Sequence, residues 1–322
     1  MENFLITGIT GQDGLFLTAK LLELNKNCNI FGISRSNNNK IFFNRLNSLT
    51  NSSTENLKLF KVDLEDITEV NNFISKIKPS HIINLSGPSS VYESLVDYSY
   101  TKKSIEVIFD NLINTCIKQK IFPVFFQASS SEMFGNNNGE PLNENSEFNP
   151  NSPYAEAKLR NHLKLINLAK QNDWNLTSGI MFNHESEFRE SNYLFKKTIL
   201  TAIAIHSGKK EILKIGSLDY IRDWSFAGDV ANAIYKIIFS NFENSYVIGS
   251  GIPNSIEDLI SVVFEHFGLN WNMYVNVDEQ LLRKGDPKTI IANPKKIKVN
   301  LDWQPKYSFN QLVSRCIEKE LI

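Results

Sequence analysis

Short apolar runs, each about the length of a buried strand, recur through the first 182 residues with longer amphipathic stretches between them. The runs fall at residues 4–6, 30–33, 57–62, 82–85, 124–127 and 178–181. Between them, residues 14–24, 68–77, 101–118 and 154–170 carry apolar side chains at three- and four-residue intervals, the period of a helix with one buried face. Strands that are apolar throughout, separated by crossover helices, specify a parallel sheet covered on both faces, so the fold class is doubly wound α/β. Past residue 182 the alternation loosens, although residues 230–239, 246–248 and 256–267 still read as helix, strand and helix. The division expected is residues 1–182 as the core and 183–322 as a smaller C-terminal lobe interleaved with the end of that core.

The chain has 322 residues, 42% hydrophobic and 21% charged, which is enough to bury a sizeable core. Its formal net charge of −1 gives no general attraction for polyanions, so no nucleic-acid partner is expected. Cys28, Cys116 and Cys316 are widely spaced and lack metal-ligand spacing, so neither disulfides nor a metal are expected, and a cytoplasmic setting fits. Residues 1–8 carry no basic start with an apolar stretch after it, and no segment approaches about 18 uninterrupted apolar residues. Neither export nor a membrane span is expected.

The first apolar run passes directly into Gly8, Ile9, Thr10, Gly11, Gln12, Asp13 and Gly14, with the glycines three apart, and then into a helix. Glycines there allow a tight turn and let a pyrophosphate reach the free N–H groups of the helix N-terminus, the arrangement of a Rossmann dinucleotide site. The second run ends at Ile33, Ser34 and Arg35 with no acidic residue, which suits the 2′-phosphate of NADP better than the free ribose of NAD. Asp63 and Leu64 follow the third run, where a carboxylate meets an adenine edge or, equally well, caps a helix before Glu65. Asn84, Leu85, Ser86 and Gly87 end the fourth run with small residues that let backbone lie against a cofactor.

Tyr154 and Lys158 stand one helical turn apart and project from one face. The ammonium is expected to lower the phenol's pKa and make it usable as an acid or base. Upstream, the fifth run continues as Gln127, Ala128, Ser129, Ser130, Ser131 and Glu132, so Ser130 and Glu132 emerge at the carboxyl end of the sheet, in the crevice of the glycine turn. Bland readings compete at each position: capping serines, a solvated Glu132, a structural His184, a solvated helix face at Lys196 and Lys197, and an Arg222 paired with Asp223 or Asp219. Trp224 and Trp303 read as core.

Residues 7–14, 127–132, 152–158, 182–186 and 222–224 resemble, in sequence and in order, motifs of the extended short-chain dehydrogenase/reductase family, and within it the GDP-mannose 4,6-dehydratases. The resemblance implies a nucleotide-sugar substrate, NADP, and a homo-oligomer, dimer or tetramer. It implies catalysis by Ser130, Glu132, Tyr154 and Lys158. It places the cofactor against Gly8, Thr10, Gly11, Gln12, Asp13, Gly14, Arg35, Asp63, Leu64, Leu85, Ser86, Tyr100, Lys158, His184 and Arg189. The substrate falls to Ser89, Asn183, Lys197, Arg222 and Arg283. The chain departs from the family pattern with Ser130 in place of threonine, Ser90 in place of histidine, and a single Arg35 where arginines are often paired. A 4-keto-6-deoxy sugar-nucleotide reductase, which keeps a similar Ser-Ser-Glu strand, is the main alternative; Glu132 favours dehydration over an epimerase, and Tyr154, Lys158 and Glu132 together argue against an NADP-sensing non-enzyme.

Overall fold

The structure is a computed structural model that describes residues 1–25, 27–35, 39–88, 91–240, 243–282 and 285–321. A seven-stranded sheet forms its centre. In chain order its strands are β1 (Glu2–Thr7), β2 (Cys28–Ile33), β3 (Leu57–Phe60), β4 (His81–Asn84), β5 (Val124–Ser130), β6 (Leu176–Met181) and β7 (Ser245–Ile248). The spatial order is β7-β6-β5-β4-β1-β2-β3 and every neighbouring pair is parallel. The chain winds outward from β1 to β3, then returns to β4 and winds the other way. The reversal between β1 and β4 opens a crevice at the carboxyl ends of these strands.

The helices are α1 (Gln12–Leu24), α2 (Asn39–Asn47), α3 (Ile67–Ile77), α4 (Val91–Val96), α5 (Tyr98–Gln119), α6 (Pro153–Gln171), α7 (Leu194–His206), α8 (Ala227–Ile238), α9 (Ile256–His266), α10 (Lys295–Leu301) and α11 (Phe309–Glu320). One core layer joins the sheet to α1, α7, α8, α9 and α11, and a second joins its other face to α3, α5 and α6. Both faces are covered, which is why β4 is buried at every position and its central residues, Ile82 and Ile83, are both apolar rather than alternating. Local signals set the helix ends. The Asp97 carboxylate caps α5 by accepting from Tyr100 N at 3.0 Å, and Lys120, with φ 54°, closes the other end in the left-handed region. Asp66, not Asp63, caps α3, accepting from Thr68 N at 2.7 Å.

The C-terminal half contributes to both parts of the molecule. Its residues 245–248 form the edge strand β7, hydrogen-bonded to β6. Its short ribbons build the rim of the crevice: His184–Glu185 pairs with Ser225–Phe226, and Ile221–Arg222 lies between Asn254–Ser255 and Thr289–Ile290. Trp224 and Trp303 are buried in the core, as expected. Among the described residues no helix is long and apolar enough to cross a membrane, and no group of three His, Cys, Asp or Glu side chains is placed to hold a metal.

Candidate active site

The glycine turn shows its purpose in its geometry. Gly8 has φ +67°, and a Cβ there would stand 2.8 Å from the Leu85 carbonyl oxygen. A Cβ on Gly14 would stand 2.5 Å from Ile9 Cα, so the start of α1 lies against the turn. Gly11 caps α1 without a side-chain acceptor, which leaves the first N–H groups of the helix pointing into the crevice. Ser86 Oγ, at the end of β4 beside the turn, is buried with no hydrogen-bond partner among the described residues. A glycine cradle, open helix N–H groups and an unused hydroxyl fit the pyrophosphate and ribose of a dinucleotide.

Asp13, in the first turn of α1, reaches across the crevice to the loop after β6. Its Oδ1 lies 2.9 Å from His184 Nε2, and His184 Nδ1 lies 2.7 Å from the Phe182 carbonyl oxygen. Burial opposes charge on the ring, but Asp13 outweighs it and holds His184 above the ordinary histidine range. The same pairing overcomes burial at Asp13 and holds its carboxyl below the usual range. The two ring nitrogens of His184 thus face one carboxylate and one carbonyl oxygen. Gln12 ties the same loop down, donating to His184 O at 3.0 Å and accepting from Ser186 Oγ at 2.8 Å. Arg189 Nε meets buried Glu185 at 2.7 Å.

Pro153 at the first helical position and Ser152 as cap, accepting from Ala155 N at 3.2 Å, fix the start of α6 and place Tyr154 in its first turn. Tyr154 and Lys158 are both buried. Lys158 Nζ donates to the Ala128 carbonyl oxygen at 2.9 Å and lies 5.6 Å from the centre of the Tyr154 ring. Burial pushes the lysine down to about 8, partly offset by Asp13. Burial also pushes the Tyr154 phenol up; a hydrogen bond with Ser130 acts the other way, and the charge of Glu132 adds to the rise. The lowering expected from Lys158 is therefore not the effect that wins, because desolvation of a buried phenolate exceeds it. Ser130 Oγ accepts from Glu132 N at 3.2 Å, so Ser130, Glu132 and Tyr154 meet at the end of β5.

Beneath this cluster a buried polar chain crosses the sheet. Thr7 Oγ1 donates to Asn84 Oδ1 at 2.6 Å, Asn84 Nδ2 to Gln127 Oε1 at 2.8 Å, and Gln127 Nε2 to the same Ala128 carbonyl at 3.0 Å. Sequence reasoning placed Asn84 and Gln127 within the fourth and fifth strand segments but gave their side chains no role, although polar residues in buried strands are a readable signal. It missed Glu185 as well, whose spacing of four from Arg189 announces the pair.

The remaining sequence candidates scatter along the rim. Arg222 is buried and paired with Asp286 at 3.0 Å, not with Asp223 or Asp219. Asp223 is occupied elsewhere, accepting from Ser250 N at 2.8 Å, Gly251 N at 2.7 Å and Ala292 N at 3.1 Å. Asn183 accepts through its backbone oxygen from Ser225 N at 2.9 Å, and Lys197 Nζ donates to the Lys214 carbonyl at 3.1 Å. Lys196 is buried, so the shared solvated face does not form. Arg35 and Asp63 are exposed beyond β2 and β3, while Leu64 is buried and Leu85 half-buried. Tyr100 is half exposed on α5, and no side-chain hydrogen bond joins it or Arg35 to the cluster among the described residues. Ser89, Ser90 and Arg283 lie outside the described residues.

Comparison with known proteins places this arrangement. The family model described as GDP-mannose 4,6 dehydratase matches residues 5–316. The chain belongs to the GDP-mannose 4,6 dehydratase family. It is 32% identical to GDP-mannose 4,6 dehydratase 2 of Arabidopsis thaliana, covering 98% of this chain and 86% of that protein. In fold it is similar to dTDP-glucose 4,6-dehydratase from Bacillus anthracis, solved in complex with NAD, with a TM-score of 0.84 at 18% identity over 100% of this chain and 97% of that one. It is similar also to RMD from Pseudomonas aeruginosa complexed with NADPH, with a TM-score of 0.82 at 17% identity, covering 99% and 98% of the two chains.

Proposed function

We propose that this crevice removes water from the hexose of a sugar nucleotide, GDP-mannose or a close GDP-sugar, yielding the 4-keto-6-deoxy form with NADP as the resident cofactor. Residues 1–182 hold the cofactor in this reading, and residues 183–322 supply the lobe that takes the nucleotide diphosphate, through Asn183, Lys197, Arg222 and Arg283, with Ser89 at the sugar. The observation that carries it is the meeting of Ser130, Glu132 and Tyr154 at one strand end. Reduction of a ketone needs one proton donor, whereas dehydration needs a base at the C4 hydroxyl, a base at C5 and an acid at the departing C6 hydroxyl.

A bound nicotinamide supplies the hydride acceptor at C4, the hydride donor at C6 and, when oxidised, positive charge near the phenol. Tyr154 takes the C4 hydroxyl proton as the C4–H bond breaks. The C4 ketone then acidifies C5, and Glu132 takes that proton. The same carboxyl, or Ser130, protonates the C6 hydroxyl as it leaves as water, and the proton that Tyr154 took returns to C5 as C6 is reduced, so that one water is lost and each residue is restored. Lys158, anchored on the Ala128 carbonyl oxygen, would hold the ribose hydroxyls of the bound cofactor. Preference for NADP over NAD rests on Arg35 and on the lack of an acid after β2.

A homo-oligomer is in keeping with the exposed Tyr92, Val96 and Tyr98 on α4 and α5, and a cytoplasmic setting with three buried, unpaired cysteines. Mass spectrometry of GDP-mannose incubated with the enzyme and no added NADPH is the test. Loss of one water is expected, and Glu132→Gln should accumulate reduced cofactor while leaving the sugar's water in place. Intact hexose nucleotides together with stoichiometric NADPH consumption on a 4-keto sugar would establish the reductase instead.

A further inference from the structure

The loop that carries His184 and Arg189 is held from two sides. On the inner side, Gln12 and Asp13 of α1 grip it. On the outer side the grip comes from the far end of the chain. The Glu187 carboxylate, almost wholly buried, accepts from Arg315 on α11 through Nε at 3.3 Å and through a terminal nitrogen at 2.5 Å. The backbone oxygen of the same residue accepts from Lys196 Nζ at 2.8 Å, and that buried ammonium also pairs with Glu320 in the last turn of α11. The Arg315 guanidinium lies 4.8 Å from the centre of the Phe226 ring, and Phe226 sits edge-on to Phe16 of α1, which in turn meets Phe188 of the loop. Residues 184 to 189 are thus clamped between the helix that begins the cofactor turn and the helix that ends the chain.

Arg315 and Glu320 lie on the outer side of the loop, with α1 and the glycine turn on the inner, and their ion-pair partners, Glu187 and Lys196, belong to no assigned role. A two-pronged guanidinium–carboxylate contact fixes orientation as well as distance, and buried charges of this kind tolerate no loose alternative. We infer that α11 sets the position of the cofactor loop, with Glu187 and Arg315 as positioning residues acting through His184 and Arg189. The inference rests on the reading that this loop contacts the cofactor. Slack in the outer grip lets the loop drift from the crevice, and small displacements of groups that must meet a ligand cost affinity directly.

NADPH fluorescence titration, with a thermal melt of each variant, tests this. Arg315→Met and Glu187→Gln should each weaken NADPH binding by about five- to twentyfold, the usual size of coupling between linked sites. The double variant, which leaves neither charge buried and unpaired, should recover melting temperature yet keep the weakened affinity, and Arg315→Lys should fall between wild type and Arg315→Met. A pair that served stability alone would move the melts and leave the affinity of every folded variant within about twofold of wild type, which overturns the inference. Arg189→Met separates the two layers of reasoning: if it weakens NADPH binding while the Arg315 and Glu187 variants do not, only the outer clamp is wrong, and if it too has no effect, the loop is not a cofactor loop and both fall. Should Arg315→Met fail to fold, the double variant carries the comparison.

Discussion

His162 offers a measurement of how dry the support of the active site is. It lies on α6, one turn beyond Lys158, and its Nδ1 is 2.8 Å from Ser178 Oγ, which donates to Ser129 Oγ behind the catalytic strand. The ring is 4% exposed and meets Phe148 edge-on. Burial pushes its pKa from 6.5 down to about 4, so the folded protein holds it neutral where the unfolded chain would protonate it. The stability this neutrality protects is complete above 6.5 and is lost as pH falls toward about 4. That interval corresponds to about 3 kcal/mol, with a slope approaching 1.4 kcal/mol per pH unit. Urea denaturation of wild type and His162→Leu across this range isolates the effect, because His81 and the carboxylates titrate in both proteins. The wild type should be the more stable at pH 7, through packing and the Ser178 contact, and its advantage should shrink by about 3 kcal/mol by pH 4. Parallel curves would refute the reasoning, since they would mean that the ring is protonated at no cost in the fold.

Three further outcomes follow from the geometry. Gly14→Ala should destabilise the protein by at least about 1–3 kcal/mol in a thermal melt, because the new methyl meets Ile9 backbone, which has nowhere to move. Asp13→Asn should lower the His184 titration midpoint, followed by NMR; the stability this raised histidine contributes is present below 6.5 and is lost as pH rises through its folded value, and the variant should lack that dependence. Asp223→Asn should cost about 1–3 kcal/mol, read by chemical denaturation, because the new amide nitrogen would face a backbone N–H donor in either orientation, that of residue 250 or those of 251 and 292.

The sheet was readable because its inner strands β1, β4, β5 and β6 are covered on both faces and carry short apolar runs, and a cap was readable where a side chain acts on its own neighbour, as Ser130 does in accepting from Glu132 N. Boundaries slipped where tertiary contacts decide them. The expected run 57–62 ends at Phe60, since the chain turns there to bring Asp63 Oδ1 to Glu65 N at 2.9 Å. Helix α7 went unread because its buried face includes Lys196, a residue that pattern reasoning assigns to solvent; its partner Glu320 lies 124 positions away. The glycine turn, Ser130, Glu132, Tyr154 and Lys158 were legible through local spacing. The pairing of Arg222 with Asp286, and the engagement of Asp223 by two separate segments, depend on how the ribbons close, which no local pattern encodes.

Strand β7 has a consequence for how the chain is made. As residues leave a ribosome in order, β1 to β6 are complete once residue 181 has emerged, but the strand that seals β6 is not synthesised until residues 245–248. For the intervening stretch the nascent sheet presents an open row of N–H and C=O groups along β6, flanked by apolar faces not yet covered by α8. Neighbouring chains on one messenger are then at the stage most able to pair edge to edge, and slow translation between residues 182 and 245 would lengthen that exposure. Yield of native protein should therefore depend on synthesis rate through this window and respond to a chaperone that shields strand edges, even though the finished molecule leaves β6 with no free edge at all.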